Sequence, residues 1–71
     1  MKILVFKTNI RFKKQIRSVA KHLDTFADIR KWNFDLQDKD KILRIEARDL
    51  SPRAIEQTLH HAGYFCEELP D

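Results

Sequence analysis

The hydrophobic period of this 71-residue chain switches repeatedly, and each switch marks an element boundary. Between Lys2 and Lys7 lies the unbroken apolar run Ile3-Leu4-Val5-Phe6, which reads as a short, well-buried strand. Further on, Phe12, Ile16, Val19, Ala20 and Leu23 recur at helical spacing. They predict one apolar stripe of a helix from about Arg11 to Thr25, with Thr8 or Asn9 available as N-cap. Trp32, Phe34 and Leu36 then alternate with polar residues, as do Leu43, Ile45 and Ala47. Two such runs around the polar Asp38-Lys39-Asp40 predict an antiparallel hairpin. Leu50-Ser51-Pro52 is the sharpest local signal: Ser51 is an N-cap, and Pro52 sits at the first helical position, where its missing N–H costs nothing. Leu50 and Ile55 fall at hydrophobic-staple positions, Leu59 and Ala62 continue the stripe, and Gly63 stands where a left-handed residue ends a helix. Tyr64-Phe65-Cys66 predicts a last short strand before an acidic tail of Glu67, Glu68 and Asp71.

The resulting order, β-α-β-β-α-β, predicts an α+β fold of the ferredoxin-like kind: a four-stranded antiparallel sheet with both helices on one face. The other face would be open or covered by a partner. Residues 1–71 form one domain. A chain this short buries only about 60–65% of its unfolded surface, which leaves a thin core and little room for a catalytic pocket. The single cysteine excludes an intramolecular disulfide and an all-cysteine metal site within one chain. No apolar run approaches the roughly 18–20 residues of a membrane span, and the apolar start is too short for a secretory signal. A cytoplasmic location is the expectation.

Charge is spread unevenly. Met1 to His22 holds seven basic residues (Lys2, Lys7, Arg11, Lys13, Lys14, Arg17 and Lys21) and no acid. Asp49 to Asp71 holds five acids and one base. An asymmetry of this kind either suits an anionic partner or only keeps the domain in solution.

These pieces resemble, in order, a heavy-metal-associated domain, the fold of copper chaperones and of the amino-terminal modules of copper-pumping ATPases. Phe6-Lys7-Thr8-Asn9-Ile10 is similar to the segment leading into that family's metal loop, and Ile16, Val19 and Leu23 to the apolar positions of its first helix. Ile29 through Trp32, Phe34 and Asp35 resemble the second strand, Leu50-Ser51-Pro52 the start of the second helix, and Ala62-Gly63-Tyr64 its end. The resemblance breaks at the functional motif. The family's Cys-x-x-Cys falls on Phe12-Lys13-Lys14-Gln15, where neither Phe12 nor Gln15 offers the soft anionic ligand that Cu(I) prefers. The two intervening lysines add positive charge beside a would-be cation.

Other chemistry is sparse. The remaining soft or borderline ligands are Cys66, His22, His60 and His61. His60 and His61 are adjacent on a helix and point about 100° apart, so they do not readily share an ion. Ligands from Cys66 and histidines could converge across a dimer. A nucleophilic Cys66 lacks an orienting third group, and no enzymatic activity is expected. Phe6 lies on an expected central strand, but the aromatic and Gly-rich run of an RNA-binding sheet is absent.

The resemblance implies that the loop and first helix form a docking face to which lysines contribute. Here Lys7, Arg11, Phe12, Lys13, Lys14, Gln15, Arg17 and Lys21 are the candidate partner-binding residues, with Phe12 expected as a core plug from its place on the stripe. The expected function is a non-enzymatic, heavy-metal-associated-like module that has lost its thiolate site and docks an acidic protein, within a metal-homeostasis system by descent. No cofactor is expected. The alternatives are copper or zinc binding through a Cys66/histidine site and weak nucleic-acid binding by the basic first helix.

Overall fold

The computed structural model describes residues 1–70; Asp71 lies outside them. Strand β1 (Lys2–Thr8) is followed by helix α1 (Lys13–Leu23), strands β2 (Ile29–Asp35) and β3 (Ile42–Ala47), helix α2 (Pro52–His61) and strand β4 (Cys66–Glu68). The sheet order is β2-β3-β1-β4, and every neighbouring pair is antiparallel. This is the expected ferredoxin-like α+β fold. Val19 and Leu23 of α1 and Ile55 and Leu59 of α2 pack with Leu4, Phe6, Leu43, Ile45 and Ala47 into one core.

Strand alternation explains which residues meet there. Leu4, Phe6 and Thr8 face the helices, while Ile3 is 52% exposed and Val5 half-buried on the other side. The apolar run of β1 is thus not covered on both faces. It is central in the sheet, but the helices protect one side only. β2 carries a bulge at Arg30: Ile29 opposes Ala47 and Lys31 opposes Glu46. The extra residue restores phase, so Ile29, Trp32 and Phe34 all pack toward the core.

Helix α1 begins two residues later than the stripe predicts, and Phe12 is its N-cap, with extended backbone (φ −117°, ψ 148°). That geometry turns Phe12 off the stripe and leaves it 59% exposed, so it is not a core plug. Thr8 and Asn9 do not cap α1 either. The Thr8 hydroxyl donates to the Lys41 carbonyl (2.5 Å) and accepts from the Ile10 amide (3.2 Å). Asn9 Oδ1 accepts from the Phe65 amide at 3.0 Å. Both residues stitch the loop to neighbouring segments.

Helix α2 follows the sequence closely. Ser51 Oγ accepts from the Arg53 amide at 3.2 Å, and Pro52 opens the helix. At the far end Gly63 has φ +95°, with Gly63 N–H bonded to the His60 carbonyl (3.0 Å) and Tyr64 N–H to that of Leu59 (2.9 Å). This pair of bonds is a Schellman cap. β4 starts later than expected, because Tyr64 and Phe65 spend their amides on the helix end and on Asn9. The residues read as an acidic tail pair instead with β1, Glu67 opposite Lys7 and Glu68 opposite Phe6.

Candidate functional site

The loop between β1 and α1 is fixed from below and leaves its tip free. Ile10 is fully buried and anchors it; Arg11 and Phe12 stand in solvent. Gln15 organises the tip. Its Oε1 accepts from the amides of both Arg11 (2.8 Å) and Phe12 (2.9 Å), while its own amide donates to the Phe12 carbonyl at 3.0 Å. This is the side-chain half of a capping box, supplied by Gln at the third helical position; Phe12 has no oxygen with which to supply the other half.

Around this tip the cations gather. Lys13 and Lys14 occupy the first turn of α1, which holds no acid, and Arg17 and Lys21 follow at successive turns from Lys13. Among the described residues, Arg11, Lys13, Lys14, Arg17 and Lys21 form no ion pair within the 4.0 Å range of the pairs found elsewhere. Cations at a helix N-terminus oppose the helix dipole at about 0.3–1 kcal/mol each. Lys13 and Lys14 therefore do not serve the stability of α1, whereas Lys21, in its last turn, stands at the end that favours a cation. Lys7 stands apart: it lies on the open face of the sheet, opposite Glu67, and reaches Asp40 at 3.8 Å.

A second exposed aromatic is tied to the loop by its backbone, which periodicity does not reveal. Phe65 is 43% exposed, and its amide is held by Asn9 of the same loop. Read as a strand residue, Phe65 carries no signal of this kind. Its place in the turn after Gly63 brings it to the loop.

The metal candidates are dispersed. His60 Nε2 donates to the Cys66 backbone carbonyl at 3.0 Å. His22 and His61 border a shallow groove between the helices that also includes Phe26, Ala54 and Thr58. Among the described residues no group of three or more His, Cys, Asp or Glu side chains is arranged to hold a metal ion. Cys66 is 2% exposed, and burial, reinforced by the nearby Glu56 charge, pushes its thiol up to about 12. A thiol held protonated is neither a ready ligand nor a ready nucleophile. Glu56 is a buried carboxylate that pairs with Arg53 and accepts from the Glu68 amide at 2.7 Å, locking β4 to α2.

The sheet offers no base-stacking platform. Phe6 is fully buried beneath it, and the open face of the two central strands carries Ile3, Val5, Lys7, Ile42, Arg44 and Glu46. RNA-binding sheets of this architecture need aromatics in those places. Among the described residues no helix is long and apolar enough to cross a membrane.

No protein-family model and no curated protein sequence matches the chain. Among solved structures, the chain is similar to the yeast copper transporter domain CCC2A, studied in solution in its apo and Cu(I)-loaded states. The TM-score is 0.85 at 12% sequence identity, over 100% of this chain and 99% of that one. At this identity the likeness is one of fold: the chain has the ferredoxin-like architecture of that domain.

Proposed function

We propose that this chain is a non-enzymatic docking module of heavy-metal-associated type, in which the loop and α1 bind the acidic face of a protein partner and the thiolate pair has been replaced. Laid on the motif of that family, the two cysteine positions fall on Phe12 and Gln15. Phe12 points into solvent, and Gln15 is committed to capping the loop. Neither can coordinate a soft cation, and the lysines between them repel one. The fold it shares with a copper transporter domain supports a role, by descent, in metal homeostasis.

One observation carries this reading. Arg11, Lys13 and Lys14, without ion-pair partners among the described residues, flank an exposed phenylalanine on a capped loop, at a helix end whose stability the two lysines lower, and Arg17 and Lys21 continue the row along α1. An aromatic anchor within a charged rim is the anatomy of a protein-binding hot spot, with the cations steering the encounter. The test places a photocrosslinking phenylalanine analogue at Phe12 and compares the native surface with Lys13→Glu/Lys14→Glu. The reading expects a single acidic protein crosslinked from position 12 and lost on charge reversal, with the fold unchanged by circular dichroism. Crosslinking to nucleic acid instead, with steep salt dependence, contradicts it.

A further inference from the structure

The two edges of the sheet differ sharply. β4 is three residues long, carries Glu67 and Glu68 and is followed closely by Pro70, so a second strand would meet like charges and a missing donor. β2 is seven residues long and lies at the other end of the order β2-β3-β1-β4. Past its bulge, the register from Lys31 to Asp35 against β3 is regular. This stretch contains no Gly or Pro. Among the described residues, no loop or helix backbone bonds it from the outer side. It is a free template for a further strand.

Its sequence, Lys31-Trp32-Asn33-Phe34-Asp35, is complementary to its own reverse. Antiparallel pairing of two copies about an axis perpendicular to the sheet places each residue opposite one from the same face. Such registers are therefore centred on a residue. Centred on Asn33, Lys31 opposes Asp35 of the second copy and Trp32 opposes Phe34, each pair occurring on both sides of the axis, and Asn33 opposes Asn33 on it. Centring on Trp32 sets Lys31 against Asn33, and centring on Phe34 sets Lys31 against Gln37; neither opposes unlike charges at Lys31 or Asp35. Opposite charges and aromatic pairs directly across strands are the stabilising kinds.

The side chains are placed for this use. Lys31 is exposed on the open face and pairs there with Glu46 at 3.2 Å. The Asp35 carboxylate makes no ion pair among the described residues; one oxygen accepts from the Gln37 amide at 3.2 Å. On the helix-facing side Trp32 and Phe34 are half-buried and meet edge to face, with ring centroids 5.9 Å apart. A second copy would complete the burial of both rings. A shallow hollow beside the strand on the open face, lined by Ile3, Lys31, Trp32, Asn33, Arg44 and Glu46, would extend across the seam.

We propose that two copies of this chain associate through β2, paired antiparallel about a two-fold axis at Asn33, into one continuous eight-stranded sheet with all helices on one side. The interface uses neither the loop nor α1, so it stands or falls separately from the docking function.

The test is sedimentation equilibrium of the intact protein over a concentration series, with Trp32 fluorescence as a second readout. The native chain is expected to self-associate and its emission to move to the blue as it does. Asp35→Lys sets lysine against lysine at both ends of the seam and is expected to weaken association about tenfold or more. Lys31→Asp does the converse. An equimolar mixture of the two variants restores both unlike pairs and is expected to form a heterodimer that neither forms alone. Lys31→Asp also faces Glu46; if it does not fold, Asp35→Lys alone decides. A native chain that stays monomeric at about 1 mM, or one whose association is unchanged by Asp35→Lys, overturns the proposal.

Discussion

Cys66 shows how one residue can look like chemistry in the sequence and act as structure in the fold. As the only cysteine, near two histidines, it invites a metal or nucleophilic reading. Packed into the core opposite Thr8, it is held protonated well above its ordinary value of 9.0. The linkage has a definite sign. Between about pH 9 and 12 the unfolded thiol has lost its proton while the folded one keeps it, so the unfolded state binds fewer protons and stability falls as pH rises. The contribution is fully present below pH 9 and is on the order of 4 kcal/mol over the whole span. Chemical denaturation across this range should therefore show a downward slope that is shallower in Cys66→Ala. Iodoacetamide at pH 8 should modify the native thiol only as fast as the protein opens. Rapid labelling of the folded chain would show an accessible thiolate and return Cys66 to the list of reactive groups. Burial of this kind was not legible in the sequence, since it depends on β4 starting at Cys66 and no earlier.

At the scale of elements, legibility followed how local the determining interactions are. α2 was readable at both ends because Ser51, Pro52 and Gly63 act within a turn of themselves. The hairpin was readable because Trp32 and Phe34, then Leu43 and Ile45, keep period two; the bulge at Arg30 was not, because it is defined by the partner strand. α1 was misread at its start. Phe12 matches the helical spacing, but Gln15 reaches back to the amides of Arg11 and Phe12, and the helix starts at Lys13 rather than Arg11. The signal was present as a Gln three residues after the cap, without the usual Ser, Thr, Asp or Asn to announce it. The candidate site residues stand as a run in the sequence, but their placement does not show there: Lys7 lies on the open face of the sheet, and the Phe65 amide meets the loop from a distant turn. If Gln15 is a cap, Gln15→Ala removes two hydrogen bonds and costs about 1 kcal/mol in chemical denaturation. Gln15→Glu keeps both and adds a negative charge beside the helix dipole and two lysines, so it should be neutral or stabilising by about 0.5 kcal/mol. Equal losses in both variants would remove the capping role.

At the scale of the whole molecule, the fold is held by a sequence very unlike that of its structural neighbour. A backbone that superimposes on a copper transporter domain with a TM-score of 0.85 shares 12% of its residues. At that identity a shared backbone does not by itself carry a shared function. The proposed docking rests on the loop, with its glutamine cap and exposed phenylalanine, and on cations that have no ion-pair partner among the described residues. The most direct measurement is an anaerobic titration of the reduced, isotope-labelled protein with Cu(I), followed by amide shifts residue by residue against a competing chelator. The account predicts that Asn9 to Arg17 do not respond at stoichiometric metal. Saturable shifts in that loop, or clustered around Cys66 and His60, would contradict it and make this a metal-binding domain with relocated ligands.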